Sequence, residues 1–183
     1  EGYIREVHRL REHYQKDIEI YLGIEEDAFS PVDRSRFDYI IGSVHYVEKD
    51  GAHLSIDESK QTQINIVNGY YNGDFYGFVE DYYALVADVY NKTKCHIIGH
   101  FDLITKFNRD GDLFDPGHPR YVAAAQKALD ALLAAPAVLE VNTGAMSRGY
   151  TTEPYPPKNI LDQWLAAGKQ IIFSSDCHSK FSY

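Results

Sequence analysis

Several apolar segments of the sequence end in, or are followed by, a side chain that can bind a metal ion. These side chains are carboxylates, imidazoles and one amide, at Glu25, His45, His100, Asn142 and Asp176. Oxygen and nitrogen donors of this kind suit Zn, Mn or Fe. Each of them alone has an ordinary explanation, such as a polar residue that caps a turn. Their recurrence at five predicted strand ends favours a shared metal site.

The strongest local motif is Ser174-Ser175-Asp176-Cys177-His178, which follows an apolar run. A carboxylate and an imidazole two residues apart can both point into one site. The alternative is a strand-end turn in which Asp176 caps the next element. Cys177 should point away from its two neighbours, so we interpret it as a small buried residue and not as a nucleophile.

A phosphate group could be bound by Arg148, which lies beyond the fourth predicted strand. A guanidinium there can bind phosphate through a bidentate fork, although a solvated loop arginine is the alternative. Lys106 and Arg109 are weaker candidates. Asp102 is either a partner that orients a ligand histidine or a cap. The other histidines have ordinary interpretations. His8 and His13 are expected on a helix surface, and His96 inside a strand. His118 is expected at a helix start and His53 in a loop.

The elements that must position these residues alternate between strands and helices. The strands are short apolar runs, which is typical of a parallel sheet covered by helices. Asp115 is the expected N-cap of the fourth helix, and Gly168 is expected to end the fifth. The predicted strands cover 18–25, 37–45, 95–100, 138–142 and 170–176, and the predicted helices cover 2–16, 57–70, 74–92, 116–135 and 157–167.

A β/α barrel would bring all these strand ends to one face, which carries the active site in that fold. A complete barrel usually needs about 250 residues. The sequence has 183. We therefore expect 1–183 to be a single α/β barrel domain with about five parallel strands present, incomplete at both ends. Sheet edges exposed in such a piece favour self-association.

Composition narrows the class of protein. The net charge of −9 disfavours an electrostatic nucleic-acid binder, although a local pocket can still bind a phosphate ester. No apolar run reaches the roughly 18 residues of a membrane span. The two cysteines give no disulfide framework, which indicates a reducing compartment and hence the cytoplasm.

Five motifs, in order, resemble those of the polymerase-and-histidinol-phosphatase (PHP) superfamily, and most of all its histidinol-phosphatase branch. The resemblance runs from about Gly23 to His178. The motifs are Gly23-Ile24-Glu25-Glu26-Asp27, Asp38-Tyr39-Ile40-Ile41-Gly42-Ser43-Val44-His45, Gly99-His100-Phe101-Asp102-Leu103, Glu140-Val141-Asn142-Thr143-Gly144 and Ser174-Ser175-Asp176-Cys177-His178.

The resemblance implies a distorted (β/α)7 barrel with up to three divalent metals, Zn, Mn or Fe, at its C-terminal face. Glu25 would bridge two metals, and His45 and His100 would complete the second. Asp176 would bind the first metal and His178 the third, while Arg148 would hold the phosphate. The family also opens with a His-x-His strand that has no match in residues 1–22.

Three functions follow as hypotheses. The first is a phosphatase that hydrolyses histidinol phosphate in histidine biosynthesis with a metal-bound hydroxide as nucleophile. The second is a phosphodiesterase or exonuclease of the same superfamily. The third is a catalytically incomplete barrel fragment that acts as a binding or structural module.

Overall fold

A parallel sheet of five strands forms the centre of the protein, in the order β1-β2-β5-β6-β7. It is seen in a computed structural model that describes residues 2–109 and 111–179. The α/β class expected from the sequence is confirmed. The strands are β1 (Gly23–Asp27), β2 (Tyr39–Ser43), β3 (Tyr46–Lys49), β4 (Ala52–Ser55), β5 (Ile97–Ile98), β6 (Val138–Asn142) and β7 (Ile171–Ser174), and the helices are α1 (Gly2–Tyr14), α2 (Lys60–Tyr70), α3 (Phe75–Thr93), α4 (Pro119–Leu133), α5 (Gly144–Ser147) and α6 (Lys158–Ala166).

The short strand β5 holds the middle of the sheet together. It pairs with β2 on one side and with β6 on the other, both parallel. The ladder continues past its ends, because His96 N donates to Ile40 O at 2.9 Å and Gly99 N donates to Gly42 O at 2.9 Å. Since all five strands run the same way, the segments that follow them meet at one edge of the sheet.

The main core lies between this sheet and the helices that cover it. Helices α3 and α4 pack against each other and bury Phe78, Tyr82 and Leu129. On α6, Trp164 is fully buried and its indole Nε1 donates to Gln170 O at 2.8 Å. Glu25, His45 and His100 lie in or just after β1, β2 and β5, at the carboxyl edge of this sheet.

Four predicted strand boundaries were wrong, and all four errors concern site residues. Strand β2 ends at Ser43, two residues before His45, and β5 ends at Ile98, two residues before His100. The first strand begins at Gly23 and ends at Asp27, so Glu25 lies inside it and not at its end. The preceding apolar residues Ile18 and Tyr21 lie outside the strand and are 60% and 57% exposed. The last strand ends at Ser174, which places Asp176 in the segment after it.

A β-hairpin of β3 and β4 had no counterpart among the predicted elements. Its turn contains Asp50 and Gly51, both with positive φ (51° and 77°). An Asp-Gly pair with two positive φ values is typical of a tight hairpin turn, so the sequence did contain a signal. His53, predicted in a loop, therefore lies on β4. The four-residue helix α5 was also not predicted.

Helix α4 starts later than the sequence pattern predicted. His118 is its N-cap, and the ring Nδ1 of His118 accepts a hydrogen bond from Arg120 N at 3.2 Å. Asp115, the predicted cap, instead accepts from Gly117 N at 2.8 Å and closes a turn before the helix. Pro119 at the first helical position explains the start, because proline is tolerated there and its φ suits the helix. Gly168 follows α6 with φ of 75°, as predicted.

In the described part of the chain, β1 and β7 are the outer strands of the five-stranded sheet. A closed barrel and self-association through these edges therefore stay predictions. Among the described helices, none combines the length and the apolar character that crossing a membrane requires.

Candidate metal and phosphate site

Three predicted ligands come together at the carboxyl edge of the sheet. Glu25, His45 and His100 each offer one donor atom, and these atoms lie within 4.8 Å of one another. Glu25 Oε1 is 3.1 Å from His100 Nε2 and 3.4 Å from His45 Nε2. We call these residues the triad. One carboxylate oxygen and two imidazole nitrogens at this spacing are a donor set that Zn, Mn or Fe accepts.

Neighbouring strands fix the carboxylate of the triad. Glu25 lies on β1, and Ser43 at the end of β2 donates its hydroxyl to Glu25 Oε1 at 2.6 Å. Gly99 makes room for this contact, because a Cβ at Gly99 would lie 2.5 Å from Ser43 Oγ. Ser43 was not among the predicted site residues.

Asp27 holds the ring of His45 at Nδ1, the ring nitrogen that does not face Glu25. The residues Glu25 and Asp27 are two apart on β1, so both side chains lie on one face of the strand. Asp27 Oδ2 accepts from His45 N at 2.8 Å and lies 3.2 Å from His45 Nδ1. A carboxylate on one imidazole nitrogen leaves the other nitrogen oriented for a metal. Asp27 belongs to the first of the five motifs, but this orienting role was not predicted.

These contacts also set the pKa values of Glu25 and His45 in the metal-free chain. Desolvation alone would raise the pKa of the Glu25 carboxyl, but hydrogen bonds with His100, His45 and Ser43 hold it well below its usual range. Desolvation would lower the pKa of His45, but Asp27 and Glu25 raise it to about 10. Glu25 is therefore ionised and His45 protonated at neutral pH in the metal-free chain.

His100 is the most buried member of the triad, with 6% of its side chain exposed. Its backbone N donates to the buried carboxylate of Glu140 at 2.7 Å. Asn142 supports that carboxylate from two residues further along β6, with Nδ2 3.2 Å from Glu140 Oε2. Asn142 was predicted among the strand-end donors, and in the structure it is buried and braces this backbone instead.

Asp176, Arg148 and His178 form a second group. Arg148 Nη1 donates to Asp176 O at 2.8 Å, and Arg148 Nη2 lies 3.2 Å from Asp176 Oδ2. His178 Nε2 is 3.2 Å from Asp176 Oδ1. Asp176 adopts a φ of 42°, which is uncommon for a residue other than glycine but which aspartate adopts more often than most residues. A Cβ at Gly144 would lie 2.9 Å from Arg148 Nη2 and from Asp176 Cβ, so glycine is what allows this close approach.

One cavity of about 250 Å³ contains both groups. The triad, Arg148, Asp176 and His178 line it, together with Asp57, Leu103, Lys106 and Tyr150. Lys106 was a weaker candidate in the sequence, and Asp57 and Tyr150 were not selected at all. No sequence signal marks Asp57, because only the hairpin of β3 and β4 brings it to this edge.

Three further residues differ from their predicted positions or lie outside this cavity, namely Cys177, His96 and Asp102. Cys177 is half-buried in the segment after β7, and its Sγ donates to Ser179 O at 2.6 Å, so it is not the buried strand residue expected. His96 precedes β5 and is exposed, with its Nδ1 accepting from Ile40 N at 3.1 Å. Asp102 lines a different cavity of about 320 Å³. Burial raises the pKa of Asp102 to about 8.

The fold and the donor set together define an α/β protein with a candidate metal site. A crystal structure of "the putative histidinol phosphatase hisK from Listeria monocytogenes" is similar, with a TM-score of 0.74 and 20% identity. The match covers 99% of this chain and 72% of that one. At this identity the likeness is evidence for the fold alone.

Two curated proteins resemble the chain in sequence, and both are named "Probable histidinol-phosphatase". The chain is 27% identical over 193 residues to the one from Schizosaccharomyces pombe, a match that covers 96% of this chain and 59% of that protein. It is 29% identical over 184 residues to the one from Deinococcus radiodurans, a match that covers 96% and 64%. The chain thus spans less than two thirds of the length of either relative. No protein-family model matches the chain.

Proposed function

We propose that this chain carries the catalytic face of a metal-dependent phosphomonoester hydrolase of the histidinol-phosphatase kind, within the PHP superfamily. The observation that supports this most is the triad, whose donor atoms lie within 4.8 Å at the carboxyl edge of a parallel sheet. The names of the two sequence relatives support the phosphatase activity.

In this proposal Glu25, His45 and His100 hold one divalent metal, and Asp176 and His178 bind further metal in the same cavity. When bound, the metal supplies Lewis-acid activation of water and positive charge beside the phosphoryl oxygens. Asp27 orients the His45 ring, and Ser43 orients the Glu25 carboxylate. Arg148 binds the phosphoryl group through its guanidinium.

The substrate we propose is a small phosphate monoester. The cavity of about 250 Å³ is small, which favours a small organic phosphate over a larger ligand. The net charge of −9 disfavours the phosphate backbone of a nucleic acid. Histidinol phosphate is the first substrate to test, and the cytoplasm is the compartment we propose for the reaction.

The test compares hydrolysis of histidinol phosphate with hydrolysis of a single-stranded oligonucleotide by the chain loaded with Zn, Mn or Fe. We expect release of inorganic phosphate from the monoester, loss of that activity on chelation, and loss in Asp176→Ala. Circular dichroism and one-dimensional proton NMR check that Asp176→Ala stays folded. Full activity after chelation, or in folded Asp176→Ala, would overturn the proposal. Preferential cleavage of the oligonucleotide would favour the phosphodiesterase hypothesis instead.

A further inference from the structure

Two cations from different segments line the site cavity. Arg148 follows α5, and Lys106 follows a short 3-10 helix at Leu103–Thr105. Both Nη1 and Nη2 of Arg148 donate to Asp176. A phosphate dianion in this cavity therefore meets one guanidinium that already shares its hydrogen bonds with a carboxylate. A second cation would offset more of the phosphate charge.

The side chain of Lys106 is mostly buried, with 15% exposed, and its ammonium is held in place by several contacts. Its Nζ donates to Asp57 O at 3.0 Å and lies 3.6 Å from Asp57 Oδ2. It also lies 5.3 Å from the ring centroids of both Phe107 and Tyr150. Lysine is rarely this buried unless it is paired, so these contacts fix the position of the charge.

Lys106 still has hydrogen-bonding capacity toward a ligand. An ammonium has three N–H donors, and the carbonyl of Asp57 accepts one of them. The carboxylate of Asp57 is at ion-pair distance but too far for a good hydrogen bond. At least one N–H is thus available in a cavity that the triad also lines.

We propose that Lys106 is a second phosphate-binding residue of this site, which donates to a phosphoryl oxygen of the substrate and of released inorganic phosphate. The inference rests on the proposed function and assigns one more residue to it. Arg109, three residues further on, provides the contrast. It is exposed, its Nη1 donates to Gly149 O at 3.4 Å, and it lines a different cavity, the one that contains Asp102.

The experiment measures the dissociation constant of inorganic phosphate by calorimetry for wild type, Lys106→Gln, Lys106→Arg and Arg109→Gln. Loss of one charged hydrogen bond should weaken phosphate binding about tenfold in Lys106→Gln. Lys106→Arg restores the cation and should recover most of the affinity, and Arg109→Gln should match wild type. A merely structural Lys106 would change the unfolding midpoint and leave the phosphate affinity unchanged, and this result would overturn the inference.

A second measurement needs no variant to fold. Wild-type chain is treated with acetic anhydride with and without inorganic phosphate, and modification of each lysine is read by mass spectrometry. Phosphate should protect Lys106 but not the exposed Lys158. No protection of Lys106 in a chain that binds phosphate and hydrolyses a monoester overturns the role of Lys106 alone. A wild-type chain that neither binds phosphate nor hydrolyses a monoester overturns the proposed function together with this inference.

Discussion

Glu25 and His100 are held by the sheet itself, whereas Asp176, Arg148 and His178 lie in segments that follow β7 and α5. His100 is 6% exposed and its backbone is bonded to a buried carboxylate, whereas the side chain of His178 is 73% exposed. Ser43 and Asp27, which lie outside the triad, orient Glu25 and His45 in addition to the contacts that the triad residues make with one another. Asp176 contacts both Arg148 and His178 through its carboxylate. In the proposed function both groups exchange internal contacts for ligand contacts, and the triad has the additional support of neighbouring residues.

The largest effect is expected from removing a donor of the triad. His45→Ala deletes one nitrogen ligand, so phosphatase kcat/KM should fall by at least about a hundredfold. His53→Ala is a matched control, because His53 is exposed on β4 and does not line the cavity. Steady-state kinetics on the metal-loaded proteins check this. Equal loss in both variants would show that the effect is not specific to the triad.

A smaller effect is expected from the residue that orients His45. Asp27→Asn keeps the shape but removes the carboxylate, so metal affinity should fall about tenfold. Competition with a coloured chelator measures the affinity. Asp130→Asn on the exposed face of α4 should bind metal like wild type. If Asp27→Asn also binds like wild type, the position of the ring does not depend on Asp27.

The second group is disturbed selectively through Gly144. A Cβ there would lie 2.9 Å from Asp176 Cβ, so Gly144→Ala must displace Asp176 or Arg148. We expect KM for the phosphate ester to rise about fivefold with the affinity of the triad for metal unchanged. Gly69→Ala is the control, because no atom lies within 4 Å of its added Cβ and alanine favours the helix α2. An unchanged KM in Gly144→Ala would mean that the second group tolerates the displacement.

The smallest effect concerns pH. In the metal-free chain the pKa of His45 rises from 6.5 to about 10 through Asp27 and Glu25. Since the folded-state pKa is the higher one, this stabilisation is complete below about pH 6.5 and is lost as pH rises toward about 10. Urea midpoints of chelated wild type should therefore fall across this window relative to those of Asp27→Asn. If the urea midpoints of the two proteins change in parallel with pH, the pairing of His45 with Asp27 is contradicted.

Residue type and position predicted much of this architecture, and the remainder depends on contacts far apart in sequence. Apolar runs predicted the five parallel strands, and the donors at their ends predicted the triad. The backbone contact of His100 with Glu140 joins residues 40 apart, and that of Lys106 with Asp57 joins residues 49 apart. No local pattern encodes such contacts. The error at the first strand has a similar cause, because pairing with β2 and not apolar character sets where β1 begins.

Metal content per folded chain tests the central claim most directly. Wild type and Glu25→Gln are purified without chelators, and transition metals are counted by elemental analysis alongside circular dichroism. We predict at least about one equivalent of Zn, Mn or Fe in wild type and a clear loss in folded Glu25→Gln, since the triad supplies three ligands. A folded wild-type chain without metal, or equal metal in both proteins, would contradict the account.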